Sequence, residues 1–359
     1  MNKIMKIAYL GFLKIRWGGK INGLFLLLNA YIDDYKKKKK SIIHTYLIHR
    51  KGFTVDDWTV STVNRNNYKK YISSVQYYKM HPINGAFSSW IDDKLTLKYL
   101  CHGTTLDEYM PEYYFYIDEV GNVAKLADCP NSLPNNEIIS VLHLKKRLAV
   151  KRIAGSFGEG FYCISTKNNK YYVNDTELTL DELDNFFDSL RQYIITEHFL
   201  PHESFCKLSN GAVNCFRYLV GRLNGKMIPI ERYIRFGTKK SRFVENYAAG
   251  GVLCFVNNKG EFFEGNILID GENHIIKTHP DNGEKLEGKL PLWDEVAEAL
   301  QKIDKAFPNL KYLGIDFVFT NENKVKILEI NSLTSLDALQ MKKSLLESEA
   351  KDFFVQLLN

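Results

Sequence analysis

Apolar residues recur at helical spacing in well-bounded segments of the chain. In the first, a capping box joins Thr179 to Glu182, whose side chain returns a hydrogen bond to the cap residue. The apolar positions that follow are Leu183, Phe186, Phe187, Leu190 and Ile194. This stripe predicts a helix over 179–195 that packs into the core and binds no ligand. Further helices are predicted over 293–307 and from about Ser335.

Short runs rich in β-branched and aromatic residues separate these helices and predict strands. The predicted strands cover 148–153, 161–165, 212–221, 227–236, 251–256, 266–269, 313–320 and 324–331. Residues 1–90 are rich in Lys and Tyr and mostly helical in pattern, with short strands near 5–10. The mixture predicts an α+β enzyme.

The last two predicted strands form a hairpin that gathers oxygen-bearing side chains on one face. Glu329 and Asn331 are two residues apart, so both project from the same side of their strand. With the turn centred on 321–322, Asp316 lies opposite Ile327, on that same face and diagonal to Glu329. The residues expected to face the core are Ile315, Phe317, Leu328 and Ile330. Carboxylate and amide oxygens suit Mg²⁺, so the polar trio predicts a metal site, with a solvated strand face as the alternative.

A glycine-rich loop joins two of the predicted strands. Gly155, Gly158 and Gly160 let backbone N–H groups approach phosphate oxygens, and Lys151 places a cation just before them. No GK[ST] sequence follows and no helix opens after the loop, which excludes a Walker loop and a dinucleotide fingerprint. A plain hairpin turn is the alternative interpretation.

The segment Glu197-His198-Phe199-Leu200 directly follows the helix predicted over 179–195. An extended linker with exposed backbone amides and one acid suits an adenine edge and a ribose hydroxyl. Its alternative is an ordinary connection between a helix and a strand.

The net charge of the chain gives little further indication of its partners. Its 359 residues include 48 Lys and Arg against 42 Asp and Glu, and five of the lysines form the run from Lys36 to Lys40. One short run gives no broad basic surface, so we expect no nucleic-acid partner. Peripheral contact of this run with acidic phospholipid is an alternative to a solvated helix end.

Cysteine usage and hydropathy indicate the compartment. Six scattered cysteines without a CxxC pair fit free thiols in a reducing environment. No apolar run reaches the roughly 18 residues that a membrane helix needs. We therefore expect a cytoplasmic protein without a transmembrane segment.

In order and spacing, the glycine loop, the linker and the hairpin resemble the ATP-grasp superfamily over residues 93 to 340. Within it, the chain looks closest to the sugar-transfer-associated ATP-grasp family of bacterial polysaccharide biosynthesis. The segments that carry this narrower resemblance are 244–251, 279–283, 314–316 and 329–331. The resemblance implies two α+β subdomains that grip ATP, at 91–200 and 201–359. Here they are preceded by a largely helical region, at 1–90, instead of the usual Rossmann-like domain.

The same resemblance implies a role for each candidate residue. The nucleotide-binding set is Lys94, Lys151, Ser156, Phe157, Gly158, Glu197, Leu200 and His202. In this set the lysines bind the α- and β-phosphates, residues 156–158 cover the phosphates, and the rest hold adenine and ribose. The magnesium ligands are Asp316, Glu329 and Asn331. The catalytic set is Arg217 at the γ-phosphate, for which a surface strand arginine is the alternative, with Arg235 and Asn246 at the acceptor carboxylate.

The function that the resemblance implies is an ATP-dependent carboxylate–amine ligase that works through an acyl phosphate, with ATP and Mg²⁺ as cofactors. The expected partners are a small-molecule or nucleotide-linked sugar acid and an amino acid or amine, in a capsule or O-antigen pathway. Two rivals stay open at this point: a phosphotransferase of the same fold, and a non-catalytic nucleotide-binding partner of a glycosyltransferase.

Overall fold

The structure is a computed structural model that describes residues 21–37, 40–131, 137–153, 160–208, 212–241 and 244–359. The strands expected near 5–10 lie outside the described residues, as do Ser156, Phe157 and Gly158 of the glycine loop. Within the described part of the chain, no helix has the length and apolar character required to cross a membrane.

Helices make up most of the region before residue 102 and recur between the strands after it. The helices are α1 (Ile21–Lys36), α2 (Ile42–Arg50), α3 (Val55–Val60), α4 (Ser74–Met80), α5 (Ser89–Asp92), α6 (Lys94–Cys101), α7 (Glu137–Lys145), α8 (Leu180–Ser189), α9 (Trp293–Ala306), α10 (Leu336–Leu339) and α11 (Lys351–Leu358). The largely helical N-terminal region expected from the sequence is therefore present over its described part.

The strands form two seven-stranded sheets and a small two-stranded one. The strands are β1 (Tyr113–Ile117), β2 (Val123–Lys125), β3 (Arg147–Arg152), β4 (Tyr162–Lys167), β5 (Lys170–Val173), β6 (Thr176–Leu178), β7 (Tyr193–Glu197), β8 (Cys215–Leu223), β9 (Lys226–Phe236), β10 (Val252–Phe255), β11 (Glu261–Phe262), β12 (Gly265–Ile269), β13 (Glu272–Ile276), β14 (Gly288–Lys289), β15 (Tyr312–Phe319) and β16 (Val325–Asn331). The first sheet has the order β2-β1-β7-β3-β4-β5-β6 and the second the order β13-β12-β10-β9-β8-β15-β16.

The helix predicted over 179–195 is too long by six residues. The capping box at Thr179 is present, but α8 ends at Ser189 and Leu190 is its C-terminal cap. Gln192 then takes a left-handed φ of 60°, which redirects the chain into β7. Ile194 belongs to that strand and is fully buried in the first sheet, because a run of β-branched residues favours a buried strand over a further helical turn.

Helices α7 and α8 cover one face of the first sheet. Val141 and Leu142 from α7 and Leu183 from α8 are fully buried against Leu148 and Ile195 of the sheet. This packing fixes β3 and β7 side by side, so that Ala149 on β3 pairs with Thr196 on β7. Candidate residues at the ends of these two strands are therefore held by a rigid layer.

The second sheet lies between helix α9 on one face and the N- and C-terminal helices on the other. Ile303 of α9 packs with Ile315 and Phe317 of β15 in one core. On the opposite face the Tyr77 hydroxyl of α4 lies 2.9 Å from the Tyr312 hydroxyl of β15, and Tyr312 stacks on Phe353 of α11. The N-terminal region is thus packed directly onto the sheet that carries the predicted metal ligands.

The C-terminal helix predicted from about Ser335 is interrupted. The structure has one turn of helix at α10 and resumes only at α11. Between them, the Gln340 amide accepts from the Ile72 N–H at 3.1 Å and donates to the Ile72 carbonyl at 2.8 Å. The Ser344 hydroxyl also donates to the Lys70 carbonyl. These bonds to the N-terminal region take the segment out of a helical path.

Candidate active site

A large cavity of about 1730 Å³ lies between the two large sheets and brings most of the predicted site residues together. The predicted residues that line it are Lys94, Lys151, Glu197, Arg217, Arg235, Asn246, Asp316, Glu329 and Asn331. They come from β3 and β7 of the first sheet, from β8, β9, β15 and β16 of the second, from the start of α6 and from the loop before β10. Residues far apart in the chain therefore meet in one cavity.

The hairpin brings its three oxygen-bearing side chains together through a β-bulge that the sequence analysis did not predict. Asp316 pairs directly with Glu329, whereas Phe317 pairs with Ile327, so Leu328 is an extra residue in β16. The prediction that Ile327 opposes Asp316 is wrong, and Ile327 is buried in the core instead. The prediction that Leu328 faces the core is also wrong, because the bulge turns it into the cavity wall.

Two arginines hold Asp316. Arg217 is its partner across β8 and β15, and Arg235 lies one strand further along the sheet. The Arg217 Nε donates to Asp316 Oδ1 at 2.5 Å while its Nη2 donates to Oδ2, and Arg235 Nη2 donates to Oδ2 at 3.2 Å. Burial alone would lower the pKa of Arg217, but the neighbouring Asp316 carboxylate raises that pKa well above its ordinary value. The alternative of a plain surface arginine does not describe Arg217, whose side chain is only 13% exposed.

Glu329 faces the cations of the opposite wall. Lys94, the first residue of α6, places its Nζ 3.1 Å from Glu329 Oε2, and Arg217 Nη2 lies 3.8 Å from Oε1. Burial would raise the pKa of the Glu329 carboxyl, yet the charges of Lys94 and Arg217 lower it to about 2. The carboxylate is therefore ionised throughout the physiological pH range.

Lys151 lies on β3, opposite Ile194 of β7, and its side chain enters the cavity. Burial and the nearby charge of Lys94 lower its pKa to about 8. The low pKa means that neighbouring negative groups do not compensate for the burial of the Lys151 ammonium. An anionic ligand would provide that compensating charge. Lys94 and Lys151 both line the cavity, and two neighbouring cations suit an anionic ligand such as a phosphate.

The last residue of β7, Glu197, and the first residue of the linker that follows, His198, both line the cavity. Glu197 exchanges hydrogen bonds with the backbone of Glu112, at 2.8 and 3.2 Å, and burial raises the pKa of its carboxyl. Burial and the charges of Arg147 and Lys151 lower the pKa of His198 to about 4, so its ring is neutral at pH 7. The sequence analysis named the linker but gave no role to the His198 side chain, because its burial depends on β3 and β7 meeting.

Leu200 and His202 are placed elsewhere and do not line the cavity. The Leu200 carbonyl accepts from the Asn321 N–H at 3.1 Å, and the His202 ring lies 2.8 Å from the side-chain oxygen of Asn323. Both residues therefore tie the linker to the turn of the β15–β16 hairpin. These contacts position Glu197 relative to the predicted metal ligands.

The loop before β10 gives the cavity a further acid, to which the sequence analysis assigned no role. Glu245 Oε1 lies 3.3 Å from Arg235 Nη2, which itself contacts Asp316. Burial raises the pKa of the Glu245 carboxyl, with the Arg235 charge acting against it. Asn246 caps the following turn by accepting from the Ala248 N–H at 3.1 Å. A side chain at Gly251 would meet the Glu245 carbonyl at 2.3 Å, so the turn needs glycine there.

The donor set fits a hard divalent cation bound together with phosphates. Asp316, Glu329 and Asn331 lie on two paired strands and offer two carboxylates and one amide to the cavity. Among the described residues, no group of three or more His, Cys, Asp and Glu side chains could hold a metal by itself. Mg²⁺ suits such a partial set, because it usually keeps waters or phosphate oxygens in its other positions.

Replacing Arg217 with methionine is expected to destabilise the fold, because Asp316 would keep only Arg235 as a cationic partner inside the protein. Removal of one partner of a buried ion pair typically costs about 3 kcal/mol or more. Urea denaturation followed by circular dichroism would measure this loss. An exposed arginine, Arg65, provides the control, and Arg65→Met should leave the free energy of unfolding unchanged. Equal stability of the two variants would contradict the role given to the Arg217–Asp316 pair.

Most of the chain matches the model of one protein family. Residues 73–353 match the family model described as sugar-transfer associated ATP-grasp. A search of curated proteins gives no match.

Several solved structures resemble the chain at low identity. D-alanyl-alanine synthetase A from Vibrio cholerae is 13% identical, with 77% of this chain and 65% of that chain covered and a TM-score of 0.44. The VanG D-Ala:D-Ser ligase from Enterococcus faecalis is 13% identical, with coverages of 76% and 63% and a TM-score of 0.41. The ATP-grasp ligase PsnB, complexed with a minimal precursor, is 11% identical, with coverages of 77% and 62% and a TM-score of 0.40. The chain thus spans slightly less than two thirds of the length of each of these proteins.

Proposed function

We propose that this chain, which belongs to the sugar-transfer associated ATP-grasp family, is an ATP-dependent ligase that joins a carboxylate to an amine. The observation that supports this most is the arrangement of charge in the cavity. Lys94, Lys151, Arg217 and Arg235 converge there with Asp316 and Glu329. Phosphoryl transfer needs positioned cations and metal ligands rather than a protein nucleophile, and this cavity supplies both.

The nucleotide would lie between the two sheets, with its phosphates at the lysines. Lys94 and Lys151 would bind phosphate oxygens, and Glu197 with the linker backbone would hold the adenine end. Asp316, Glu329 and Asn331 would hold Mg²⁺, which neutralises charge on the phosphates when it is bound. Arg217 and Arg235 both bond to Asp316, so with Mg²⁺ at Asp316 these arginines would stand beside the phosphate to be transferred.

The proposed reaction has two steps. A carboxylate oxygen of the acid attacks the γ-phosphorus of ATP and ADP leaves, which gives an acyl phosphate. The nitrogen of the amine then attacks the acyl carbon, loses a proton and displaces inorganic phosphate to form an amide. Arg217 and Arg235 would stabilise the charge that builds on the transferred phosphoryl group and would hold the carboxylate. The sheets on both sides of the cavity would keep water from the acyl phosphate.

The substrates that we propose are a sugar acid, free or nucleotide-linked, and an amino acid or other amine, as in the synthesis of capsule or O-antigen. This choice rests on the description of the family, which associates it with sugar transfer. The size of the cavity supports it, since about 1730 Å³ is more than a nucleotide alone requires.

The experiment that tests the proposal is an analysis of nucleotide products. The purified full chain is incubated with ATP, Mg²⁺, a pool of sugar acids and a pool of amino acids and amines. ADP that appears only when both pools are present, together with an amide detected by mass spectrometry, is the expected result. ADP with a stable phosphorylated product and no need for an amine would identify a phosphotransferase instead. Bound ATP with no turnover in any pool would favour the nucleotide-binding partner of a glycosyltransferase.

A further inference from the structure

Helix α2 presents an apolar face to the outside of the protein. Ile42 and Ile43 are 76% and 74% exposed, and Tyr46 and Leu47, one turn further on, are 54% and 36% exposed. These four positions follow the i, i+1, i+4, i+5 spacing that places side chains on one side of a helix. A soluble surface rarely groups large apolar residues in this way without a use for them.

The opposite side of the same helix holds it in place. Thr45 and Ile48 are buried, and the His49 ring lies 2.9 Å from the Asp34 carboxylate and stacks on Tyr31 of α1. The orientation of α2 is therefore fixed by packing, and its apolar face is turned outward as a consequence. We call Ile42, Ile43, Tyr46 and Leu47 together the α2 face.

Positive charge lies at the start of the α2 face. Lys36, the last residue of α1, and Lys37 after it are exposed, and Lys37 Nζ lies 3.7 Å from the exposed Asp33 carboxylate. Lys40 is fixed by an ion pair of 2.8 Å with Glu272 of β13, and the Ser41 hydroxyl caps α2 directly after it. Lys40 is consequently held next to the first turn of the apolar face.

We propose that the α2 face and the adjacent lysines dock on an anionic phospholipid surface. Apolar side chains on one side of a helix enter the boundary between headgroups and acyl chains, and each neighbouring lysine adds attraction to acidic lipid. A second copy of this chain fits the surface less well, because face-to-face pairing would bring two lysine runs together. The inference does not depend on the reaction proposed for the cavity, since none of these residues lines it.

Flotation of the full-length protein with lipid vesicles tests the proposal. Wild-type protein is expected to float with vesicles of phosphatidylcholine mixed with phosphatidylglycerol and to remain unbound with phosphatidylcholine alone. The double substitution Ile42→Ser and Ile43→Ser should reduce binding by roughly tenfold or more, because it removes most of the apolar area that would enter the lipid. Lys36→Gln combined with Lys37→Gln should weaken binding and reduce its dependence on salt.

Ile275→Ser provides the matched control, because Ile275 is also an isoleucine, is 64% exposed and lies outside the α2 face, on the edge strand β13. This variant should bind vesicles like wild type, and unchanged circular dichroism would show that all variants are folded. Absence of wild-type binding to anionic vesicles would overturn the proposal. So would equal binding by the Ile42/Ile43 variant, or a wild-type dimer in light scattering that the Ile42/Ile43 variant alone abolishes.

Discussion

Replacing Glu329 with glutamine is expected to lower the rate of ATP turnover by roughly a factor of 1,000. Glu329 is ionised, faces Lys94 and Arg217, and pairs with Asp316 across the hairpin. Glutamine has nearly the same volume but no negative charge, so the cavity would lose one of its two hairpin carboxylates. Mg²⁺-dependent binding of ATP, measured by calorimetry, is expected to weaken together with turnover.

The matched control lies in the same hairpin. Glu322 is exposed in the turn and pairs with Lys324, also exposed, at 2.8 Å. Glu322→Gln should therefore bind nucleotide and turn over like wild type. Glu322→Gln should melt at the wild-type temperature, whereas Glu329→Gln should melt somewhat lower, because the buried Lys94 ammonium loses its carboxylate partner. Binding and turnover are therefore compared at a temperature at which both variants are folded. If Glu329→Gln retained full activity, the position of the metal site would be wrong.

Replacing Lys151 with methionine is expected to weaken ATP binding by about 10- to 100-fold, which is the usual effect of losing one charge-assisted hydrogen bond. Stability should not fall, because burying the lysine without a full set of counter-charges is unfavourable. Lys259→Met, in an exposed turn, is the control with the same change of residue type and should bind ATP normally.

The same lysine gives ATP binding a characteristic dependence on pH. Its pKa of about 8 means that the free protein carries the charged form below pH 8 and the neutral form above it. Binding of phosphates requires the charged form, so affinity should be constant below pH 8 and fall by up to about tenfold per pH unit above it. Titration calorimetry from pH 7 to pH 9.5 would measure this slope. A slope that persists unchanged in Lys151→Met would show that another group is responsible.

Sequence periodicity predicted the fold class well. The α+β class, the helical N-terminal region and the resemblance to the ATP-grasp superfamily are confirmed by the two antiparallel sheets and by the family match over 73–353. The hairpin was predicted within one residue at each outer end, because Asn321 and Asn323 mark its turn and buried apolar residues mark its strands. These features are local, and local signals are what a single sequence carries most clearly.

The errors arose where distant parts of the chain decide the structure. The bulge at Leu328 changes which residue opposes Asp316, and no local pattern indicates it. The C-terminal helix is interrupted at Gln340, because that side chain bonds to Ile72, which lies 268 positions earlier. Glu245 had no predicted role, because its contact with Arg235 forms only in the folded structure. Spacing along the chain could not have predicted these three contacts, because each depends on how the layers pack.

The most direct test of the proposed acyl-phosphate reaction follows an oxygen atom. The acid substrate identified in the pooled assay is labelled with ¹⁸O in its carboxylate and incubated with the protein, ATP, Mg²⁺ and the amine. The proposed reaction transfers one carboxylate oxygen to phosphorus, so the inorganic phosphate released should carry one ¹⁸O for each amide formed. Label found in AMP, or amide formed with unlabelled phosphate, would contradict the acyl-phosphate route.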